Sequence, residues 1–248
     1  MPSMDPLRLS GVLFDLDGTL VDTTYVHTVC WWHAFTQFGH VVPMARLHRA
    51  VGMGADVLVD HVLGPGRDRG RDMEIVAAHT TLFTTWFELV PPTPGALELL
   101  QWCRDQRLVV ALVSSANERE LEAMLDVLDH PDFDVVTTSQ DAGRSKPAPD
   151  LVAVALERSG LEPQQAVFVG DSVWDMQAAR GVGLRAVGLT SGGTSAAELR
   201  GAGASWVFND PGHLTEFWVA SMRTGADAGT PPDRSGQAAR MTDPESRG

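Results

Sequence analysis

From residue 95 onward, short apolar runs alternate with segments of helical periodicity, and this alternation constrains the fold more than any other feature of the chain. It predicts helices at 95–106, 117–128, 148–159 and 173–181, and strands at 108–114, 134–138, 166–170 and 184–189. Strands separated by helices pair in parallel, with the helices covering both faces of the sheet. We therefore expect an α/β fold, a Rossmann-like doubly wound parallel sheet.

A helical block interrupts this pattern after the first strand. Residues 24–89 carry helix signals and hardly a strand, so we expect a small α-helical cap domain at 22–92 and a catalytic core at 9–21 and 95–220. Residues 22–24, Asp-Thr-Thr, are expected to cap the first helix of the block, and the proline-rich residues 91–95 mark its exit. Two adjacent connections predict a hinge.

Composition limits the partners and the compartment. A net charge of −13 argues against nucleic acid or an anionic membrane as the main partner, because both attract clustered basic residues. With neither a signal core nor a membrane-spanning stretch, we expect a cytoplasmic protein. The sequence leaves the choice between a monomer and a homodimer open. Cys30 and Cys103 are expected to be buried reduced thiols, and residues 223–248 a disordered tail rich in Pro, Gly, Asp and Ser.

Two carboxylates follow the first strand directly. Residues 12–20 read Val-Leu-Phe-Asp-Leu-Asp-Gly-Thr-Leu, and the turn at Gly18 lets Asp15 and Asp17 both border a pocket at the strand's carboxyl end. A bound cation relieves the repulsion between two such close acidic groups, and Mg²⁺ suits both carboxylate and phosphate oxygens. This segment therefore predicts the start of an active site.

Other polar groups follow later strands or loops. Ser114 and Ser115 come after the apolar run at 108–113, and Asp171 and Asp175 after the run at 166–170. In parallel sheets, ligands bind beyond the carboxyl ends of the strands. The only lysine of the chain, Lys146, stands in Ser-Lys-Pro between two predicted elements, and its slim ammonium suits a crowded phosphate pocket.

In this order, Asp-x-Asp-Gly-Thr, a strand-end Ser, Lys-Pro and Gly-Asp-Ser-x-x-Asp resemble the four motifs of the haloacid dehalogenase superfamily, over about residues 9–210. The helical cap after the first motif is similar to the phosphoglycolate phosphatase and beta-phosphoglucomutase subgroup. The resemblance implies a Mg²⁺-dependent phosphatase acting on a small phosphate ester, such as a sugar phosphate or a phosphoglycolate-like compound. Haloacid dehalogenases lack the second Asp of the first motif, and phosphonatases also depart from the pattern there, so both remain minor alternatives.

The resemblance also implies residue roles. Asp15 is the nucleophile that forms an aspartyl phosphate, and Asp17 is the general acid and base. Ser114 and Lys146 hold the phosphoryl oxygens, and Ser115 is a further substrate-binding candidate. Mg²⁺ binds the Asp15 carboxylate, the Asp17 backbone carbonyl and Asp171. Asp175 is a metal-site candidate, although Ser172-x-x-Asp175 also fits a capping box.

The cap is expected to choose the leaving group, with His27, Trp31, Trp32 and the turn at 52–54 as candidate contacts; Trp31 is favoured as core of the cap. His27 matches a His of the related sugar phosphomutases, which keeps a phosphomutase open as an alternative. Those enzymes grip a second phosphate with basic cap residues, whereas Arg46 and Arg49 here are better explained as a solvated helix face. A non-catalytic phospholigand-binding module is the alternative of another class.

Overall fold

Residues 9–224 are described by the computed structural model, and within them six parallel strands form one sheet in the order β3-β2-β1-β4-β5-β6. The strands are Gly11–Phe14 (β1), Val109–Val113 (β2), Val135–Thr137 (β3), Ala166–Gly170 (β4), Arg185–Leu189 (β5) and Ala204–Phe208 (β6). The strand order reverses at β1, which confirms the predicted doubly wound sheet and places the expected ligand crevice at its carboxyl end.

Ten α-helices accompany the sheet in the described residues. Four follow β1: Thr24–Gln37 (α1), Met44–Ala50 (α2), Ala55–Leu63 (α3) and Asp72–Phe83 (α4). Six alternate with the later strands: Ala96–Asp105 (α5), Glu118–Val127 (α6), Asp150–Ser159 (α7), Val173–Gly181 (α8), Ala196–Ala202 (α9) and Pro211–Thr224 (α10). Capping boxes begin α6, α8 and α9, which satisfies backbone N–H groups at those helix starts.

Helices cover the sheet on both faces because alternate side chains of each strand point to opposite sides. Val12 and Phe14 of β1 belong to the hydrophobic cluster with α5, α6 and α10, whereas Leu13 belongs to the cluster with α7, α8 and α9. All three side chains are fully buried. This double covering explains why the central strands are continuous apolar runs rather than alternating ones.

The helices α1 to α4, followed by a short 3-10 helix at Thr84–Trp86, form what we call the helical segment, residues 24–86. It has a hydrophobic cluster of its own, which includes Trp31, Phe35 and Leu47. The two connections that lead into and out of the helical segment run side by side. Asp22 N–H donates to the Pro91 carbonyl and Thr93 N–H donates to the Leu20 carbonyl, both at 2.9 Å.

Two sequence expectations need correction, and three elements lacked a prediction. Thr23 stands at the start of α1 without capping it, because its hydroxyl donates to Asp17 Oδ1 at 2.7 Å instead. The edge strand β6 and the helices α9 and α10 were not predicted. The expected tail begins too early, since Arg223 lies within α10, and residues 225–248 of that tail lie outside the described residues.

The two cysteines, Cys30 and Cys103, are buried and unpaired with each other, as expected. Among residues 9–224, every helix is too short or too polar to cross a membrane.

Candidate active site

The polar residues that follow β1, β2 and β4 meet at one edge of the sheet. Asp15 continues β1, and its N–H donates to the Val169 carbonyl of β4 at 2.9 Å. Asp171 directly follows β4, and Ser114 directly follows β2. Because β1 lies between β2 and β4, the parallel register alone brings these strand ends side by side.

A lysine from the loop before α7 lies among the carboxylates at this edge. The Lys146 ammonium donates to Asp15 Oδ1 and, at 2.8 Å, to Asp175 Oδ1. Lys146 and both partners are almost completely buried. Carboxylate oxygens of Asp15, Asp171 and Asp175 all lie within 4.8 Å of one another. The site therefore holds three acidic groups and one ammonium, away from water.

This charge balance makes the site suitable for a cation. Burial, followed by the charge of Asp175, raises the pKa of Asp15 to about 8, despite the opposing effect of Lys146. Burial and the charges of Asp175 and Asp15 also raise the pKa of Asp171 well above its usual range. Asp15 Oδ2 is buried without a hydrogen-bond partner. The residues fit a hard divalent cation, because it would both neutralise these carboxylates and fill that open coordination.

Two glycines leave room for Asp171. Gly18 has φ +74°, and a Cβ there would overlap the Asp171 carboxyl group and the Thr24 hydroxyl. A Cβ on Gly192 would overlap the same carboxyl group. The turn after Asp17 thus needs glycine both for its left-handed backbone and for the close approach of β4's carboxylate.

Asp17 belongs to a second polar chain, which links the sheet edge to the helical segment. His27 Nε2 lies 3.0 Å from Asp17 Oδ1, and His27 Nδ1 lies 3.0 Å from His79 Nε2. Phe83 stacks on the His27 ring at 3.9 Å between centroids, and Trp31 stacks on His79 at 4.0 Å. These contacts fix both imidazoles in place between α1 and α4.

The pKa shifts indicate where the protons lie in the hydrogen-bonded series Asp17–His27–His79. Burial alone would raise the pKa of Asp17, but His27 and the Thr23 hydroxyl lower it overall. The pKa of His27 is raised, because the charge of Asp17 outweighs the effect of burial. Burial and the charge of His27 hold the pKa of His79 well below its usual range. These shifts favour a proton on both ring nitrogens of His27, with Nε2 donating to Asp17 and Nδ1 donating to His79.

A cavity of ≈ 410 Å³ opens in front of these groups, between the sheet edge and the helical segment. Asp15, Asp17 and Lys146 border it from the core. The helical segment contributes apolar side chains and polar groups, namely His27, Trp31, Val51, Gly52, Met53, Ala55, Leu58, Val76, His79 and Thr80. Its dimensions are those of a small-molecule pocket.

The two serines after β2 differ in burial and in hydrogen bonding. Ser114 is completely buried, and its hydroxyl accepts the Ala116 N–H at 3.0 Å, which leaves its proton available to donate. Ser115 lines the cavity, and its hydroxyl is buried without a partner. Asn117 caps α6, as its position in the sequence indicates. Of the two serines, Ser115 has the unpartnered hydroxyl that faces the cavity.

Asp175 has the capping role that the sequence indicates and also contacts Lys146. Its carboxylate completes the capping box of α8 by accepting from Ser172 N–H at 3.1 Å, and it also receives the Lys146 ammonium. Among the other candidates, His27, Trp31, Gly52 and Met53 line the cavity, whereas Trp32 is 40% exposed on the outside of α1.

Sequence reasoning missed His79 and Glu120, which also border the cavity. His79 lies 52 residues from the histidine it contacts, and only the packing of α4 on α1 brings them together. Glu120 has a visible local role, since it completes the capping box of α6 with Asn117. A carboxylate at that position signals a helix start and not a cavity wall.

The helical segment also contacts the core on the far side of Asp171. Trp174 Nε1 donates to the Arg49 carbonyl at 2.9 Å, and His48 Nε2 lies 2.9 Å from the Gly192 carbonyl. Gly52 packs so closely that a Cβ would lie 2.6 Å from the Ser172 hydroxyl oxygen. The segment is therefore seated on the core, and the cavity is enclosed between them.

Comparison with known proteins agrees with this arrangement. The family model of haloacid dehalogenase-like hydrolases matches residues 12–189. The phosphoglycolate phosphatase of Pseudomonas putida KT2440 is 32% identical over 209 residues, which cover 80% of this chain and 76% of that protein. The crystal structure of a hydrolase from Pseudomonas syringae has a TM-score of 0.80 and 29% identity, covering 84% of this chain and 96% of that one. The fold is also shared by a mutant of CbbY from Rhodobacter sphaeroides, whose crystal structure contains xylulose-(1,5)bisphosphate. That structure has a TM-score of 0.67 and 22% identity, covering 83% of this chain and 96% of that one.

Proposed function

Because this chain belongs to the haloacid dehalogenase-like hydrolase family and is a phosphoric monoester hydrolase, we propose that it cleaves small phosphate esters through an aspartyl phosphate on Asp15. The observation that carries this proposal is the buried cluster of Asp15, Asp171 and Asp175 beside a cavity, with the Lys146 ammonium bound to Asp15 and Asp175. Two successive transfers at phosphorus replace one difficult hydrolysis.

In the first transfer, a carboxylate oxygen of Asp15 bonds to phosphorus while the bond from phosphorus to the leaving oxygen breaks. The proton between His27 Nε2 and Asp17 Oδ1 supplies the leaving oxygen through Asp17, which lies two residues from the nucleophile. In the second transfer, a water oxygen bonds to phosphorus, Asp17 takes a proton from that water, and the bond from phosphorus to the Asp15 oxygen breaks, which frees the Asp15 carboxylate. Asp17 is thus restored to its starting state together with His27.

Lys146 and the segment after β2 neutralise the phosphoryl group in both transfers. The Lys146 ammonium already points at Asp15 Oδ1, so a phosphoryl group on Asp15 lies within its reach. The Ser114 proton and the unpartnered Ser115 hydroxyl are positioned to donate to phosphoryl oxygens. Donors fixed in advance stabilise the charge that spreads over these oxygens as the bond breaks.

We also propose that the enzyme depends on Mg²⁺. Asp15, Asp171 and the Asp17 backbone carbonyl would hold the ion, with Asp175 next to them holding Lys146 in place. When bound, the ion supplies positive charge that keeps the buried carboxylates ionised and offsets the charge of the phosphate. Asp15 needs that charge to act as a nucleophile, because without it the pKa of Asp15 is about 8.

We infer that the helical segment acts as a cap domain over the cavity. It supplies His27 and His79 to the proton-bearing chain and most of the apolar wall. The paired backbone connections at residues 20–22 and 91–93 are the natural hinge, because they are the only links in the chain between the segment and the core. Closure excludes water and strengthens each charge interaction in the site.

A phosphomutase would use the same phosphoenzyme but must hold a second phosphate. Among the described residues that line the cavity, arginine is absent, and Lys146 is engaged at the nucleophile. Arg46 and Arg49 of α2 lie elsewhere, with Arg49 bound to Glu198 on the surface at 3.3 Å. Hydrolysis is therefore the better-supported activity.

The test is turnover of p-nitrophenyl phosphate and a panel of phosphorylated metabolites, with Mg²⁺ or with a chelator. We expect wild type to release phosphate only with Mg²⁺, and Asp15→Asn to be inactive. A non-catalytic phospholigand-binding module is supported instead if wild type binds phosphate esters without turnover. Accumulation of an isomerised sugar phosphate in place of free phosphate would identify a mutase.

A further inference from the structure

Beyond the phosphoryl site, the cavity has an unusual charge distribution. Every cation that borders it is already engaged with a carboxylate or an imidazole. Lys146 is held by Asp15 and Asp175, and His27 uses one ring nitrogen on Asp17 and the other on His79. In the described part of the chain, no free cation remains on the cavity wall for a second anionic group of the substrate.

A carboxylate with one unpartnered oxygen lies on the same wall. Glu120 is only 7% exposed, lines the cavity, and has a buried Oε1 without a hydrogen-bond partner. Its other oxygen, Oε2, accepts the Asn117 N–H at 3.4 Å and so fixes the side chain at the start of α6. Burial and the charge of Asp17 raise the pKa of Glu120, and the charge of His27 together with hydrogen bonding from the Asn117 N–H and the Thr80 hydroxyl partly opposes this. An acceptor this deeply buried is costly unless a ligand donates to it.

The remaining wall suits a hydroxylated carbon chain. Thr80, Ser115 and Ser139 supply hydroxyl groups that both donate and accept, whereas Trp31, Met53 and Leu58 supply apolar surface for C–H groups. A carboxylate or second phosphate placed here would face Glu120 and Asp17 at short range in a poorly solvated space. Such a group would find repulsion without a compensating cation.

We propose that the leaving group is an uncharged polyol, so that the substrates are sugar or polyol monophosphates, and that Glu120 determines this specificity by accepting a leaving-group hydroxyl. This assignment rests on the proposed phosphatase function and deepens it. It separates this chain from relatives named for phosphoglycolate, whose leaving group carries a carboxylate. The residue acts on substrate choice and not on the chemical steps at Asp15.

Matched substrate pairs test the inference directly. Glycerol 3-phosphate and 3-phosphoglycerate differ by a CH₂OH group against a carboxylate, as do 2-hydroxyethyl phosphate and 2-phosphoglycolate. We expect wild type to favour the hydroxyl member of each pair by at least about tenfold in kcat/KM, the ratio that one moderate charge interaction produces. Equal rates, or a preference for the carboxylate members, would overturn the inference.

The variant Glu120→Gln keeps the size and one acceptor of the side chain but removes its charge. We expect Glu120→Gln to reduce the ratio of kcat/KM between the hydroxyl and the carboxylate substrate of each pair, mainly because the variant hydrolyses the carboxylate substrate faster. Glu198→Gln is the matched control, because Glu198 holds the same capping-box position in α9 but lies away from this cavity. The control should keep the wild-type ratio. An unchanged ratio in a folded Glu120→Gln protein would refute the role of Glu120.

Two further outcomes keep the hypotheses separate. If Glu120→Gln does not fold by circular dichroism, the wild-type ratios alone decide, and parity between pair members overturns the inference. If wild type hydrolyses no monoester with Mg²⁺, including p-nitrophenyl phosphate, the proposed function itself fails. Turnover of p-nitrophenyl phosphate together with a preference for carboxylate substrates leaves the phosphatase function intact and rejects only the polyol specificity.

Discussion

Replacing Lys146 by methionine tests the electrostatic account of the site, because it keeps the apolar stem and removes the ammonium. The Lys146 side chain is 1% exposed and bonds to two carboxylates that are equally buried. Removing one partner of a buried ion pair costs about 3–5 kcal/mol, since it leaves uncompensated charge in a poorly solvated place. At about 2–4 °C per kcal/mol for a chain of this size, the metal-free variant should melt about 6–20 °C below wild type at pH 8.

The pH dependence of this loss has a defined sign. The pKa of Asp15 is about 8 in the folded protein even with Lys146 present, and the variant removes an influence that lowers it. A carboxyl group whose folded pKa exceeds its unfolded value near 4 destabilises the fold increasingly as pH rises between the two values. Up to pH 8 this loss of stability is the same in both proteins, because Asp15 is protonated in both folds. Above pH 8 only the variant keeps losing stability, so the difference in melting temperature should grow as pH rises from 8 to about 10.

The measurement is thermal unfolding by circular dichroism at several pH values, in a chelator and then with Mg²⁺. Arg158→Met is the control, because Arg158 pairs with Asp141 where the side chains are 47% and 24% exposed. Arg158→Met should lower the free energy of unfolding by no more than about 1 kcal/mol, as for other surface ion pairs. A Lys146→Met protein that melts with wild type at pH 8 without metal would refute the reasoning.

Three further substitutions probe separate parts of the account. Asp17→Asn should lower kcat for alkyl phosphates by about 10²–10⁴ and for p-nitrophenyl phosphate much less, because nitrophenolate leaves without a proton; equal losses would contradict the general acid role. His79→Phe should leave the buried His27 Nδ1–H unsatisfied and should lower the melting temperature at pH 7 by the equivalent of about 1–3 kcal/mol; a melting temperature equal to that of wild type would contradict the contact between the two histidines. Gly18→Ala should raise the Mg²⁺ concentration needed for half-maximal activity at least about tenfold, because the alanine Cβ would overlap Asp171 and alanine disfavours the φ of +74° at this position. An unchanged Mg²⁺ requirement would contradict the glycine requirement.

Much of the core could be predicted from the sequence because strand order and strand ends determine it. Once β1 is central in a parallel sheet, Asp15 and Asp171 must emerge at the same edge, whatever the details of packing. The doubly wound fold follows from the same topology, whereas the meeting of Lys146 with Asp15 was expected from the family resemblance, because Lys146 lies on a loop that strand order does not place. The edge strand β6, Ala204–Phe208, escaped prediction; only its last three residues are buried, so its apolar run is shorter than that of the central strands β1, β2 and β4.

The cavity wall could not be predicted in the same way. His79 reaches His27 only because α4 packs beside α1, and helical periodicity shows which face is buried without showing which partner it meets. Glu120 is explained locally as a capping residue, so its exposure to the cavity needs the position of α6 relative to the helical segment. The choice between Ser114 and Ser115 depends on a turn of the backbone after β2 that residue types do not specify.

The most direct test of the central claim is to find the phosphoryl group on Asp15 itself. Wild-type enzyme is mixed with a substrate carrying labelled phosphate and Mg²⁺, quenched with acid within one turnover, digested and mapped by mass spectrometry. The account predicts acid-stable, hydroxylamine-labile label on the peptide that contains Asp15, and its loss in Asp15→Asn. Label on another residue, or rapid turnover without any labelled protein, would contradict it.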